Sequence, residues 1–190
     1  VNMRNPMKHI ATLSSSVREG RLSHRAALYI RRYIEDHYPA TAEILDLKSY
    51  GFPLFDERLA YQKNPSEELQ DFTRRLMEAD GIVIVTPVYN ASFPAALKNV
   101  IDLYYAEWKR KPVGIVSVTS GSVPGIATVQ QLQTLLLKLG ALVPPVLATA
   151  IQAAETFTEG GEGGPAAERT VRPLLGELLW LMERTESPSV

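Results

Sequence analysis

A loop near the middle of the chain holds the residue types best suited to contact a flat heteroaromatic ligand. Residues 86–99 include Pro87 and Pro94, an aromatic ring at Tyr89 and an amide at Asn90. Proline and tyrosine present apolar edges, Asn90 offers both a donor and an acceptor, and backbone amides can face ring heteroatoms. Taken by itself, the pattern also fits a rigid strand-to-helix turn without a ligand.

A second candidate loop, Ser14 to Ser23, has the chemistry for an anion such as phosphate. Ser14, Ser16 and Ser23 can donate hydroxyl hydrogen bonds, and Arg18 carries a planar guanidinium that matches phosphate oxygens. A predicted helix follows, and the amides and dipole of a helix N-terminus favour an anion. The same serines equally fit turn and cap positions, with Arg18 in solvent. Neither the Walker loop nor the Rossmann glycine fingerprint is present.

Strands and helices alternate along the chain, which predicts helices on both faces of a parallel sheet. The run Ile82–Val85 is apolar throughout, as in a strand buried on both faces. We place strands at 8–13, 41–47, 81–85, 112–118 and 142–149, and helices at about 26–37, 64–79, 93–108, 129–140 and 166–184. Ser92 and Asn64 are expected helix caps, and Pro144–Pro145 marks the fifth strand as an edge or bulged strand. We predict one α/β domain over 1–190, with disordered ends at 1–7 and 186–190.

Three loops should meet at one edge of this sheet, because the carboxyl ends of parallel strands point the same way. The serine-rich loop follows strand one, residues 87–90 follow strand three, and Ser120–Gly121 follows strand four. If the strand order is 2-1-3-4-5, strands one and three are neighbours whose helices leave on opposite faces. The crevice between them is then a ligand site.

The chain resembles the NAD(P)H-dependent FMN reductases, a family that includes quinone, azo and chromate reductases. Residues 87–102 match its flavin-loop signature, Pro-x-Tyr-Asn-x-Ser-x-Pro-x-x-Leu-Lys-Asn-x-x-Asp. Residues 15–18, Ser-Ser-Val-Arg, stand where the family carries a Gly-Ser-x-Arg phosphate loop, with Ser23 as the later serine. Two departures are Ser15 in place of the usual glycine and His24 where many members have asparagine.

The resemblance implies a flavodoxin-like three-layer sandwich with a five-stranded parallel sheet in the order 2-1-3-4-5. It also implies non-covalent FMN, reduced by NADPH or NADH and then oxidised by a flavin, quinone, azo compound or metal oxyanion. The expected FMN contacts are Ser14, Ser16, Arg18 and Ser23 at the phosphate, Pro87, Val88, Tyr89 and Asn90 at the isoalloxazine ring, and Ser120 and Gly121 at its border. No general acid or base is assigned, because hydride transfer itself needs none.

Composition excludes several other chemistries. The absence of cysteine rules out a disulfide scaffold, a thiol nucleophile and a thiolate-held metal, and three scattered histidines do not form a metal site. A net charge of -1 gives no field that favours nucleic acid or an anionic membrane, and no apolar run approaches the length of a membrane span. We therefore expect no metal, nucleic-acid or membrane partner and a cytoplasmic location.

Oligomeric state and function class leave alternatives open. The resemblance implies a homodimer or a tetramer, and the aromatic-rich segment Tyr50 to Tyr61 is expected to form the mouth of the site in its own or the neighbouring subunit. The main alternative function is a flavodoxin-type electron carrier that does not oxidise NAD(P)H directly, although such carriers are usually strongly acidic. A third is a flavin- or nucleotide-binding regulator. The sequence does not decide whether the electron donor is NADPH or NADH. The 2′-phosphate of NADPH could be reached by Arg21, Arg25 or Arg58.

Overall fold

The computed structural model describes residues 7–185, arranged around one five-stranded sheet. Its strands are β1 (Lys8–Ser14), β2 (Ala40–Asp46), β3 (Gly81–Pro87), β4 (Val113–Val118) and β5 (Ala148–Ala150). Every neighbouring pair is parallel, and the order is β2-β1-β3-β4-β5. This is the flavodoxin-like arrangement, so the predicted fold is confirmed. Apart from Met7, the tails predicted to be disordered lie outside the described residues.

Helices cover both faces of the sheet. They are α1 (Ser23–His37), α2 (Leu47–Tyr50), α3 (Glu67–Glu78), α4 (Ala95–Leu103), α5 (Ile126–Lys138), α6 (Ala153–Thr156) and α7 (Pro165–Arg184). Helices α1 and α7 pack on one face with Val83 and Val85, while α3, α4 and α5 pack on the other with Ile82 and Ile84. Because β3 is buried on both faces, its side chains are apolar without alternation.

The third predicted helix is shorter than residues 93–108. Helix α4 is followed by a separate 3₁₀ turn at Ala106–Trp108, and Pro94, not Ser92, precedes its first residue. Ser92 is unavailable as a cap because its backbone pairs with Tyr89 in a tight turn and its hydroxyl donates to Gln131 at 2.7 Å. The helix-cap prediction at Ser92 is therefore wrong.

Two other predicted boundaries are also wrong. The N-cap of α3 is Ser66, whose hydroxyl accepts from a backbone amide of the first turn at 3.2 Å, and not Asn64. The fifth strand does not fill 142–149. Leu142 forms only an isolated bridge, and β5 begins after Pro144–Pro145, whose prolines lack the amide hydrogens that a continuous strand would donate.

Candidate functional site

A cavity of about 690 Å³ opens at the carboxyl edge of the sheet, where β1, β3 and β4 end. The three predicted loops and the first turns of α1 and α5 form its walls. The predicted site residues that line it are Ser16, Arg18, Ser23, Pro87, Val88, Tyr89, Ser120 and Gly121. Ser14 and Asn90 do not line it. The structure thus brings eight of the ten predicted residues to one cavity.

The start of α1 forms a polar part of this wall. Ser23 is 2% exposed, and its hydroxyl is buried without a hydrogen-bond partner among the described residues. The amides of a first helical turn also lack intrahelical partners. Arg18, exposed at the rim, brings a positive charge to the same wall. A phosphate oxygen would accept from the Ser23 hydroxyl, so these residues fit the phosphate of FMN.

An ion pair that the sequence did not indicate holds this loop in place. Arg21 donates from Nη1 to the Ser16 carbonyl at 2.7 Å, and its guanidinium pairs with the carboxylate of Asp46 at the end of β2. The two side chains are 14% and 17% exposed. Burial raises the pKa of Asp46, but hydrogen bonds from Arg21 and from the Lys48 amide outweigh it and lower the pKa overall. Arg21 is therefore committed to the loop instead of lying on the surface.

Ser14 lies beneath the cavity wall, within the protein. Its buried hydroxyl is 3.0 Å from Nδ1 of His24, and that nitrogen is 3.8 Å from Oδ2 of Asp46. Burial and the nearby Arg21 charge lower the pKa of His24, against a smaller opposing effect of Asp46. The structure thus places Ser14 as a support of the loop and not at the expected phosphate contact.

The serine that replaces the family's glycine is accommodated without strain. Ser15 does not adopt a positive φ, and both its amide and its hydroxyl donate to the Val85 carbonyl, at 3.1 and 2.9 Å. These bonds tie the end of β1 to β3. The substitution therefore leaves the geometry of the loop intact.

A strained two-residue turn follows β3. The turn joins Tyr89 to Ser92, whose backbones exchange hydrogen bonds of 2.8 and 3.0 Å. Its central residues, Asn90 and Ala91, have φ values of 51° and 61°. This is the pattern of a type I′ turn, in which the two central amides are not used by the closing pair. The Asn90 side chain is exposed away from the cavity, whereas Ala91 lines it.

Tyr89 connects the two main loops of the site. Its phenol oxygen lies 2.8 Å from the hydroxyl of Ser16, so the loop after β3 is hydrogen-bonded to the loop after β1. Pro87, Val88 and Tyr89 together give the cavity an apolar wall beside the polar wall of α1. This arrangement suits a ligand with one flat apolar end and one anionic end.

The third loop closes the opposite wall. A Cβ at Gly125 would lie 2.5 Å from Val88 Cγ2 and 2.6 Å from Ser117 Oγ, so only glycine fits at this approach. At Gly121 an added Cβ would meet nothing within 4 Å, which leaves the cavity open there. The Gly121 carbonyl accepts from the Gln152 amide at 2.9 Å, which anchors the loop to the start of α6.

The aromatic-rich segment 50–61 lies beside a different surface. Asn99 accepts from the Phe55 amide at 2.6 Å and donates to the Pro53 carbonyl at 2.8 Å, pinning the segment to α4. It borders an apolar groove of about 420 Å³ that includes Val17 and Leu54. None of residues 50–61 lines the cavity of the same subunit, so the segment does not form that cavity's mouth.

Residues 7–185 contain neither a metal cluster nor a membrane-spanning helix. No group of His, Asp and Glu side chains there is arranged to hold a metal ion. None of the helices in that range has the length and apolar character needed to cross a membrane.

Known proteins resemble the chain in sequence and in structure. Residues 8–156 match the family described as NADPH-dependent FMN reductase. An NAD(P)H-dependent FMN reductase of Saccharomyces cerevisiae is 35% identical over 57% of this chain and 63% of its own length. A quinone reductase of Escherichia coli is 32% identical over 70% of this chain and 72% of its own. The match thus spans slightly under two thirds of the yeast protein.

A solved structure gives the corresponding comparison of folds. The flavoenzyme FerB of Paracoccus denitrificans, an NAD(P)H:(acceptor) oxidoreductase, superposes with a TM-score of 0.73 over 93% of this chain and 96% of its own. At 23% identity, this likeness supports the fold and not the details of the site.

Proposed function

Because this chain belongs to the NADPH-dependent FMN reductase family, we propose that it binds FMN in the 690 Å³ cavity and reduces it with NADPH or NADH. The proposed activity is thus that of an NAD(P)H-dependent oxidoreductase with FMN as its flavin, which the family match supports. The observation that carries the proposed site is the unpaired, buried hydroxyl of Ser23 at the helix N-terminus in the cavity wall. A phosphate is the ligand group that would satisfy this hydroxyl, the neighbouring amides and the Arg18 charge together.

Each wall of the cavity has a part in the proposed reaction. Ser16, Ser23 and Arg18 hold the phosphate, and the apolar wall that includes Pro87 and Tyr89 orients the flat ring. The free amides of the turn after β3 donate to ring heteroatoms and stabilise negative charge as it develops. When bound, FMN would supply the redox chemistry of hydride transfer from the nicotinamide and electron transfer to an acceptor. We assign no side chain as a general acid or base.

We propose a quinone or a free flavin as the electron acceptor. The yeast relative is named for FMN reduction and the E. coli relative for quinone reduction. The cavity admits solvent at Ser120 and Gly121, which are both exposed, so a second small molecule can approach a bound ring there. We further propose a cytoplasmic location, because reduced nicotinamide dinucleotides are intracellular metabolites.

A homodimer is proposed from the apolar surface beside the site. Leu54 is 85% exposed and Val17 46% exposed, and both border the 420 Å³ groove next to the phosphate loop. Contiguous apolar surface of this kind marks interaction sites. In light-scattering chromatography, Leu54→Asp should shift the protein toward monomer. Leu147→Asp is the control. Leu147 is 46% exposed and precedes β5, the edge strand on the other side of the sheet, so its substitution should leave the mass unchanged. A wild-type monomer would contradict the proposal.

Ser23→Ala tests the proposed flavin site. The substitution removes a hydroxyl that is unpaired in the ligand-free protein, so urea unfolding should show equal or slightly greater stability. Binding of FMN should weaken about 10- to 100-fold, since a charge-assisted hydrogen bond is lost. Riboflavin, which lacks the phosphate, should bind wild type and variant equally. An unchanged affinity for FMN, or an equal loss for riboflavin, would show that the phosphate lies elsewhere.

A further inference from the structure

A glutamine on α5 holds the strained turn after β3 from outside the cavity. The side-chain amide of Gln131 accepts from the Ser92 hydroxyl at 2.7 Å and donates from Nε2 to the Ala91 carbonyl at 2.9 Å. Gln131 lies 40 residues from Ala91 in the chain and does not line the cavity. Its hydrogen bonds thus connect the turn to a regular helix.

The turn needs such an external support. Asn90 and Ala91 are consecutive residues at positive φ, and alanine has no side chain able to stabilise that conformation locally. A two-residue turn of this kind normally carries glycine at its second central position. Here the Ala91 carbonyl instead accepts a hydrogen bond from Nε2 of Gln131, and the hydroxyl of the next residue, Ser92, donates to Oε1 of the same side chain.

Fixing this peptide also fixes the amides beside the ring site. The closing pair of the turn uses the backbone of Tyr89 and Ser92, which leaves the amides of Asn90 and Ala91 for a ligand. The bonded Ala91 carbonyl belongs to the peptide between Ala91 and Ser92, and the Ala91 amide belongs to the adjoining peptide on the same Cα. A change in the φ and ψ angles of Ala91 that breaks the bond to Gln131 would therefore also reorient the Ala91 amide. Preorganised donors stabilise developing charge only while their orientation is held.

We propose that Gln131 is a positioning residue for flavin reduction, and that it acts by clamping the Asn90–Ala91 turn. The inference rests on the proposed function for its catalytic consequence, but the clamp itself is a property of the ligand-free chain. Loss of the clamp therefore affects reduced flavin, whose ring carries extra negative charge, more than oxidised flavin. The proposed phosphate contacts lie in the loop after β1 and at the start of α1, and Gln131 bonds to neither.

The variant Gln131→Met tests this proposal, because methionine has similar length and no amide. Gln130→Met is the matched control, since Gln130 is an exposed residue on the same helix and its side chain has no bond to the turn. In ligand-free protein, ¹⁵N order parameters at residues 90 and 91 should fall from about 0.85 to below about 0.6 in Gln131→Met alone. Ser92→Ala, which removes one of the two bonds, should give an intermediate value.

The second measurement is the affinity of the protein for FMN in its two redox states. In Gln131→Met, affinity for reduced FMN should fall about three- to tenfold, while affinity for oxidised FMN changes less than about twofold. Unchanged order parameters, equal losses for both redox states, or the same effects in Gln130→Met would overturn the proposal. Wild-type protein that fails to bind FMN would contradict the proposed function, while the order parameters would still decide whether Gln131 clamps the turn.

Discussion

Replacing Arg21 with methionine should destabilise the protein and loosen the phosphate loop together. The change keeps the apolar stem but removes the guanidinium that bonds to the Ser16 carbonyl and pairs with Asp46. It leaves a carboxylate that is only 17% exposed without its counter-ion. Removing one partner of a fully buried pair costs about 3–5 kcal/mol, and a surface pair contributes about 0–1 kcal/mol. For this mostly buried pair we expect a loss of about 2–3 kcal/mol.

A double-mutant cycle isolates the contribution of the pair. Asp46→Asn removes the charge that Arg21→Met leaves unpaired, so the double variant should be more stable than the sum of the single losses predicts. We expect a coupling of about 1–2 kcal/mol, measured by urea unfolding of the ligand-free protein near neutral pH. FMN affinity should also fall about five- to tenfold in Arg21→Met, because one carbonyl anchor of the loop is lost.

An exposed arginine supplies the control for this cycle. Arg74 pairs with Asp71 and Glu78 on the surface of α3, and its side chain is 57% exposed. Arg74→Met should leave both the free energy of unfolding and the FMN affinity close to the wild-type values, because water screens this surface pair. Additive effects of Arg21→Met and Asp46→Asn, or an equal loss in Arg74→Met, would refute the role assigned to the pair.

Three other substitutions, one of them with a control variant, have distinct expected outcomes. Arg18→Ala should weaken FMN by about 1.5–3 kcal/mol, roughly tenfold to more than a hundredfold, in a fluorescence titration. The pKa of His24 is lowered in the folded protein, so the unfolded chain binds a proton first as the pH falls below about 6.5. The wild-type free energy of unfolding should therefore decrease there by at most about 1.4 kcal/mol per pH unit. In His24→Asn this decrease should be smaller. Gly125→Ala should lower the free energy of unfolding in urea by about 1–3 kcal/mol and weaken the binding of FMN, because the added Cβ displaces Val88. Gly176→Ala is the control: an added Cβ there meets nothing within 4 Å, so the variant should stabilise α7 by about 0.5–1 kcal/mol.

Each of these three predictions has an outcome that contradicts it. Equal FMN affinity in Arg18→Ala would place the phosphate away from the rim of α1. A pH profile of unfolding that is identical in wild type and His24→Asn would show that His24 titrates normally in the folded protein. Gly125→Ala with wild-type stability and FMN binding would mean that the loop after β4 can move back from Val88 at little cost.

The sheet could be predicted from the sequence because its signals are local. The run Ile82–Val85 is apolar on both faces, and the alternation of strands and helices sets the parallel topology. The edge that carries the cavity follows from that topology, since the loops after β1, β3 and β4 must meet there. Most of the expected lining residues were found by this reasoning together with the family signature.

The supporting contacts could not be predicted, because they join residues distant in the chain. Arg21 meets Asp46 across 25 positions, and Ser92 meets Gln131 across 39. No periodicity or motif indicates either pair, and an arginine in a loop is ordinarily on the surface. The turn at Asn90–Ala91 was also hidden, since it lacks the glycine that usually signals this type of turn.

The central claim is that this chain binds FMN and reduces it directly with a nicotinamide dinucleotide. The most direct test records the visible spectrum of the FMN-loaded protein without oxygen, before and after NADPH is added, and then repeats the addition with NADH. We predict rapid bleaching of the flavin band with at least one of the two donors. A bound flavin that stays yellow with both, or a protein that retains no flavin, would contradict the account.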